Sequence, residues 1–197
     1  LNNCKIKLIK QIHGTNIELI DNNNISKEII ADGSITRSKN ISLAILTADC
    51  VPIFIVDIKK NIICAVHCGW KGCLNNIVSK ALEKMKSLSK SLDDTIAIIG
   101  PCLDKKNFEV KKDFKKKFII KNRKYERFII NNINSKKIFF NMRGLIEHQI
   151  RELSINNIFH VNMDTYAEDS LFFSHRRATH NGDQSTGRMI NIIGFND

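Results

Sequence analysis

Chemistry in this sequence is densest between Leu43 and Gly72, where an apolar run leads into Thr47-Ala48-Asp49-Cys50, then Pro52, the run Ile53–Asp57, a lysine turn, the run Ile62–His67 and Gly69-Trp70-Lys71-Gly72. Two strands joined by a turn centred near Lys59–Asn61 place Cys50 opposite residues 67 to 71, and facing positions in an antiparallel pair lie within about 5 Å between Cβ atoms. A thiol and the imidazole of His67 are therefore expected side by side at the open end of a hairpin. They support two chemistries. Sulfur and nitrogen are zinc donors, and a catalytic zinc holds three protein ligands and a water. The third ligand is best supplied by His13 in Gln11-Ile12-His13-Gly14, a polar turn whose glycine lets the ring reach a loop edge. Alternatively, His67 activates Cys50 as a nucleophile toward an acyl carbon, a cysteine hydrolase of amide bonds. A buried thiol beside a hydrogen-bonded histidine is the reading without chemistry, and spacing alone does not separate the three.

Anion-binding groups lie elsewhere. Gly69–Gly72 opens a helix expected over Cys73–Ser89, and free amides there with Lys71 suit phosphate or carboxylate. Toward the end, Ser174-His175-Arg176-Arg177 and Ser185-Thr186-Gly187-Arg188 gather three arginines whose forks bind phosphate. A tight turn and a solvated arginine loop are the plain alternatives. Gly100-Pro101-Cys102 reads as a turn with a core contact.

The elements that must position these groups are legible as short apolar runs. Strands are expected at Ile17–Ile20, Ser42–Leu46, Ile53–Asp57, Ile62–His67, Thr95–Ile99, Ile138–Asn141, Ile158–Asn162 and Met189–Gly194, and helices at Cys73–Ser89, Asp113–Lys121 and Met142–Leu153. This is an α+β pattern with an antiparallel element. Its 197 residues, 43% apolar and 26% charged with two prolines, fit one folded domain over 1–197 and exclude disorder. The most apolar stretch, Ile41–Ile58, is broken by Thr47, Asp49, Pro52 and Asp57, so no membrane span is expected. No charged-then-apolar leader precedes Cys4, and six cysteines without a CxxC pair point to reduced thiols in a cytoplasmic protein. The net charge of +11 favours anionic partners. Much of it sits in Lys111–Arg127, whose lysines alternate with Phe114, Phe118, Ile119 and Ile120 as on the solvated face of a helix, which disfavours nucleic acid as the partner.

Gln11–Gly14, Ala31–Thr36 (ADGSIT), Leu46–Pro52 (LTADCVP), Ala65–Gly72 (AVHCGWKG), Ile99–Cys102 with Phe108–Val110, and Phe172–Arg177 with Thr186–Arg188 occur in the order seen in the YfiH family, also called the multicopper polyphenol oxidase or laccase-domain family. The sequence resembles that family from Gln11 to Gly194. The resemblance implies an α/β/β/α sandwich with mixed sheets, a single zinc on His13, Cys50 and His67, and a monomer or homodimer. It implies phosphorolysis of purine nucleosides by inorganic phosphate (adenosine, inosine, 5′-methylthioadenosine), with deamination of adenosine as a second reaction. Asp49 then becomes a proton shuttle or a carboxylate orienting His13 or His67, and Lys71, Arg176, Arg177 and Arg188 become the phosphate ligands. Copper is the lesser alternative metal, since a multicopper oxidase needs more histidines than these motifs carry. Departures from the family pattern are a missing N-terminal segment, Asp164-Thr165 in place of a Cys-Thr pair, and His175 where an aromatic residue is usual. A non-catalytic basic binding protein is the remaining alternative.

Overall fold

The computed structural model describes residues 4–195. In chain order the elements are β1 (Lys5–Leu8), β2 (Ile17–Leu19), β3 (Gly33–Thr36), β4 (Ile41–Thr47), β5 (Val51–Asp57), β6 (Ile62–Cys68), α1 (Trp70–Leu74), α2 (Ile77–Ser89), β7 (Thr95–Ile99), β8 (Glu109–Val110), α3 (Lys112–Lys121), β9 (Ile129–Asn131), β10 (Ile138–Phe140), α4 (Met142–Arg151), β11 (Ile158–His160), α5 (His175–Asn181) and β12 (Met189–Ile193). A 3-10 helix, Arg123–Phe128, follows α3.

Every residue of β6 is buried, which explains why Ile62–Cys68 is apolar without alternation: the strand is covered on both faces. Ile62, Cys64, Val66 and Cys68 face α2 and α4 in one core, whereas Ile63 and Ala65 meet Ile41, Leu43 and Ile45 of β4 in a second. The layers follow directly. Helices cover one face of a six-stranded mixed sheet ordered β11-β7-β5-β6-β3-β2, and a three-stranded sheet ordered β1-β4-β12 lies behind it. The α+β class with mixed sheets expected from the sequence is the observed one. The far face of the small sheet bears Ile6, Leu8, Ile190 and Ile192, each 45–57% exposed. Lys7 between them points inward, where its Nζ donates to the carbonyls of Asn24, Ile25 and Lys27.

The β5–β6 hairpin has the expected register, with Val51 opposite Cys68 and Pro52 opposite His67. The expected helix over Cys73–Ser89 is instead two, because Asn76 takes a left-handed conformation (φ 55°) and its side chain caps Ser79 N of α2. The first arginine segment, open between an anion pocket and a solvated loop, is helical, α5, capped by Ser174 Oγ accepting from Arg177 N at 3.1 Å. Of the lysine-rich segment, Phe114 and Phe118 pack inward while Ile120 is 85% exposed. Strand β3 is short, with a Gly-Ser start and little alternation to mark it, and β1 carries its apolar residues outward. No helix among the described residues is long and apolar enough to cross a membrane.

Phe108, Phe114, Phe118 and Phe140 form one aromatic cluster, with Phe140 within 4.6–5.4 Å of the other three ring centroids and fully buried. Truncation of such a ring costs about 3–5 kcal/mol. Phe140→Ala is therefore expected to lower the free energy of unfolding by about that amount in urea titration, and to loosen α3 first.

Candidate metal centre

The loop carrying His13 is built by side chains that imitate a strand. Gln11 donates through Nε2 to Leu46 O (2.8 Å) and accepts from Leu46 N at Oε1 (2.7 Å), fastening the loop to β4. Asp32, with no exposed surface, then accepts from three consecutive amides, Ile12 N (3.2 Å), His13 N (2.9 Å) and Gly14 N (2.6 Å). These bonds hold His13 at φ 59°, a left-handed conformation that costs about 1–3 kcal/mol in a residue with a side chain. The same carboxylate accepts from His67 Nδ1 at 2.8 Å. With its Nδ1 proton engaged there, His67 keeps the Nε2 lone pair for a metal.

Cys50 follows Asp49, itself at φ 80°, at the end of the tight turn between β4 and β5. Its Sγ lies 3.8 Å from His13 Nε2, and one ligand atom from each of His13, Cys50 and His67 falls within 4.8 Å of the others. Metal–ligand bonds of about 2.0–2.3 Å put tetrahedral zinc donors about 3.3–3.6 Å apart, so the trio needs to contract by roughly 1 Å. The floor of the site is backbone. A Cβ on Gly69 would sit 2.7 Å from His13 Cδ2 and 3.2 Å from Cys50 Sγ.

Electrostatics favour the uncharged ligand set. Desolvation, then the neighbouring His67, holds His13 below its ordinary value. Burial, then Cys68 and Asp49, pushes the Cys50 thiol up to about 12. Burial alone would raise the Asp32 carboxyl, but hydrogen bonds from His67, Gly14 and Ile12 outweigh it and hold it low. A metal cation is the partner that takes the proton off such a thiol.

Around the trio, the expected residues divide. Asp49 does not orient either imidazole: its Oδ1 accepts from Thr165 Oγ1 (2.7 Å) and its Oδ2 from Arg176 N (2.6 Å), so the orienting carboxylate is Asp32. Arg177 is committed to the carbonyls of Thr165 (2.8 Å), Tyr166 (2.7 Å) and Phe172, which makes it a clamp for the turn before α5 and corrects its expected place among the phosphate ligands. Arg176 lies 5.6 Å from the Phe108 ring centroid and donates to Asn107 O and Glu109 O. Lys71 is exposed, with Nζ 5.8 Å from the Trp70 centroid, and α1 is only five residues long, so the anion site expected at its start lacks a helix of useful length. Asp164, at the departure from the family pattern, holds Asp104 N, Asn107 Nδ2 and Tyr166 N.

Two cavities meet at the trio. One, of about 570 Å³, is walled by Trp70, Phe108 and Phe114 with Arg176 at its side; the other, about 500 Å³, is walled by Gln11, Thr47, Lys10 and Arg188. Asp32 and Gly69 are the functional residues that motif reading passed over. The available signal was an acid beside Gly33 in a motif already singled out, and a glycine directly after the His67 strand.

Fold and centre together define a class: a layered α+β protein with one His-Cys-His metal cradle opening on two cavities. The chain belongs to the family described as multi-copper polyphenol oxidoreductase laccase, the laccase-domain or YfiH family, which matches residues 1–196. A purine nucleoside phosphorylase of Rickettsia conorii is 34% identical over 175 residues, covering 89% of this chain and 72% of the relative. One of Mycobacterium tuberculosis is 30% identical over 192 residues, covering 96% and 72%. Among solved structures, the YfiH protein of Bacillus licheniformis superposes with a TM-score of 0.85 at 24% identity, over 98% of this chain and 74% of that one. A Neisseria meningitidis protein gives 0.84 at 22%, over 98% and 76%. These structural likenesses bear on the fold.

Two outcomes are expected. Gly69→Ala should weaken metal binding about 10–100-fold in chelator competition, as changes that displace ligands do, with little change in melting temperature. Because the Asp32 carboxyl is held below its unfolded value near 3.9, its stabilisation is present above that pH and lost as pH falls through the lower folded value. The metal-free chain should therefore lose stability on acidification below about pH 4 more steeply than Asp32→Asn does, measured by urea midpoints against pH.

Proposed function

We propose that this chain is a cytoplasmic, zinc-dependent purine nucleoside phosphorylase, acting on adenosine, inosine or 5′-methylthioadenosine with inorganic phosphate, and deaminating adenosine at the same centre. The observation that carries the reading is the meeting of an aromatic and a basic cavity at one metal-ligand trio. The names of the relatives agree with it.

Purine rings stack on aromatic faces, which Trp70 and Phe114 offer with ring centroids 5.4 Å apart. Phosphate is matched by an arginine fork, and Arg188, whose Nη1 alone is tied to Thr186 O and Gly187 O, keeps its remaining donors for an anion, with Lys10 on the same cavity. His13, Cys50 and His67 would hold the zinc, and Asp32 would keep the His67 ring turned toward it. Bound there, zinc supplies Lewis acidity and a water whose pKa falls to about 7. Copper is the runner-up metal for a His-Cys-His set. A multicopper site is disfavoured because this trio is the one such cluster among the described residues. The cysteine hydrolase is disfavoured too: burial pushes the Cys50 thiol up to about 12, away from the thiolate that a nucleophile needs.

The test is elemental analysis of the purified chain and of Cys50→Ala, with adenosine turnover followed with and without phosphate. About one zinc per chain, lost in the variant together with phosphate-dependent release of adenine, is the expected result. Inosine formed without phosphate would register the deamination. A metal-free chain that is fully active on an amide substrate would overturn the zinc reading in favour of the hydrolase, and nucleic-acid affinity indifferent to His13→Ala would favour a basic binding protein.

A further inference from the structure

Only four residues line both cavities at the centre: His13, Ala48, Cys50 and His175. Two are metal ligands and one is an alanine. His175 is thus the sole titratable side chain, ligands aside, that faces both the aromatic and the basic compartment among the described residues. It is exposed, it is the first residue of α5, and its ring takes no hydrogen bond from the described residues. Its place is nevertheless fixed. The Ser174 cap holds the helix start, and Asp49, next to the ligand Cys50, accepts from the backbone N–H of Arg176 at 2.6 Å. The other acids and bases of the two walls, ligands aside, serve one compartment each: Asp49, Glu109, Lys111, Asp113, Lys117 and Arg176 the aromatic one, Lys10 and Arg188 the basic one. Asp49 in addition has both carboxylate oxygens engaged.

Phosphorolysis has a proton to move between these compartments. Dihydrogen phosphate attacks the anomeric carbon C1′ through an oxygen, the C1′–N9 bond breaks with its electron pair going to the purine, and the base departs well only if N7 is protonated. The phosphate product carries one proton fewer and the base one more. We propose that His175 is the catalytic residue that makes this transfer, one ring nitrogen accepting the phosphate proton while the other donates to purine N7. An imidazole is suited to this because its two nitrogens are separate acceptor and donor; the ring stays neutral overall, and the swapped tautomer is reset by proton exchange with solvent, to which His175 is exposed. The assignment rests on the phosphorylase reading above, and it makes His175, at a position where the family resemblance leads one to expect an aromatic side chain, a relay between the two subsites.

The experiment compares phosphorolysis of adenosine with that of 7-methylguanosine, whose base already carries a positive charge and leaves without protonation. His175→Phe and His175→Gln should each lower kcat for adenosine about a hundredfold, within the range for general acid–base catalysis, while 7-methylguanosine turnover changes only a few-fold and zinc content stays as in the parent chain. A parent chain active on both nucleosides, with variants that slow both equally or neither, overturns the relay alone. A parent chain that cleaves neither nucleoside in phosphate overturns the phosphorylase reading and the relay with it.

Discussion

One buried carboxylate holds the centre together. Asp32 takes four hydrogen bonds, three from the amides of the His13 loop and one from the His67 ring, so two of the three ligands are placed by a single side chain with no exposed surface. An acid in that position without donors would be costly to bury. With them it is ionised and directional, and it offsets the strain of a histidine at positive φ. The third ligand is placed by a different device, the β4–β5 turn, whose Asp49 is tied to Thr165 and to the start of α5. Ligand geometry and cavity geometry are thereby linked through neighbouring residues.

The sheets make this arrangement rigid. His67 is the next-to-last residue of a strand buried on both faces and paired on both edges by β3 and β5. His67 N also donates to Asp32 O at 2.7 Å, so the backbone ladder and the side-chain contact enforce the same register. Gly69 then brings bare backbone against the ligands. The centre is thus supported by strands and amides rather than by long side chains, which is the stiffest support a chain can give.

Much of this was legible in the residues. Hairpin periodicity placed Cys50 against the end of the His67 strand, because a period of two and a short turn leave one register. The strands of the six-stranded sheet were mostly recognisable as apolar runs, for the same reason that β6 is buried twice over. The role of Asp32 was not legible beyond its place in the Ala31–Thr36 motif, since its partners are backbone amides nineteen or so residues away and amides leave no mark in a sequence. Nor was the fate of Arg177, which reads like its neighbours Arg176 and Arg188 but faces three carbonyls. The break at Asn76 was missed because asparagine is a weak helix former inside a good pattern, and only its left-handed backbone turns it into a cap.

The pairing of β12 with β4 has a temporal side. Ile190 lies beside Leu46, and Arg188 stands just ahead of that strand, so one wall of the basic cavity is supplied by a segment synthesised well after His67. Contacts of such sequence separation close late, after local hairpins and helices. His13, Cys50 and His67 can come together while later segments are still being made, but the Arg188 wall of the basic cavity cannot form until then. A growing chain would bring His13, Cys50 and His67 together before Arg188 completed the cavity beside them.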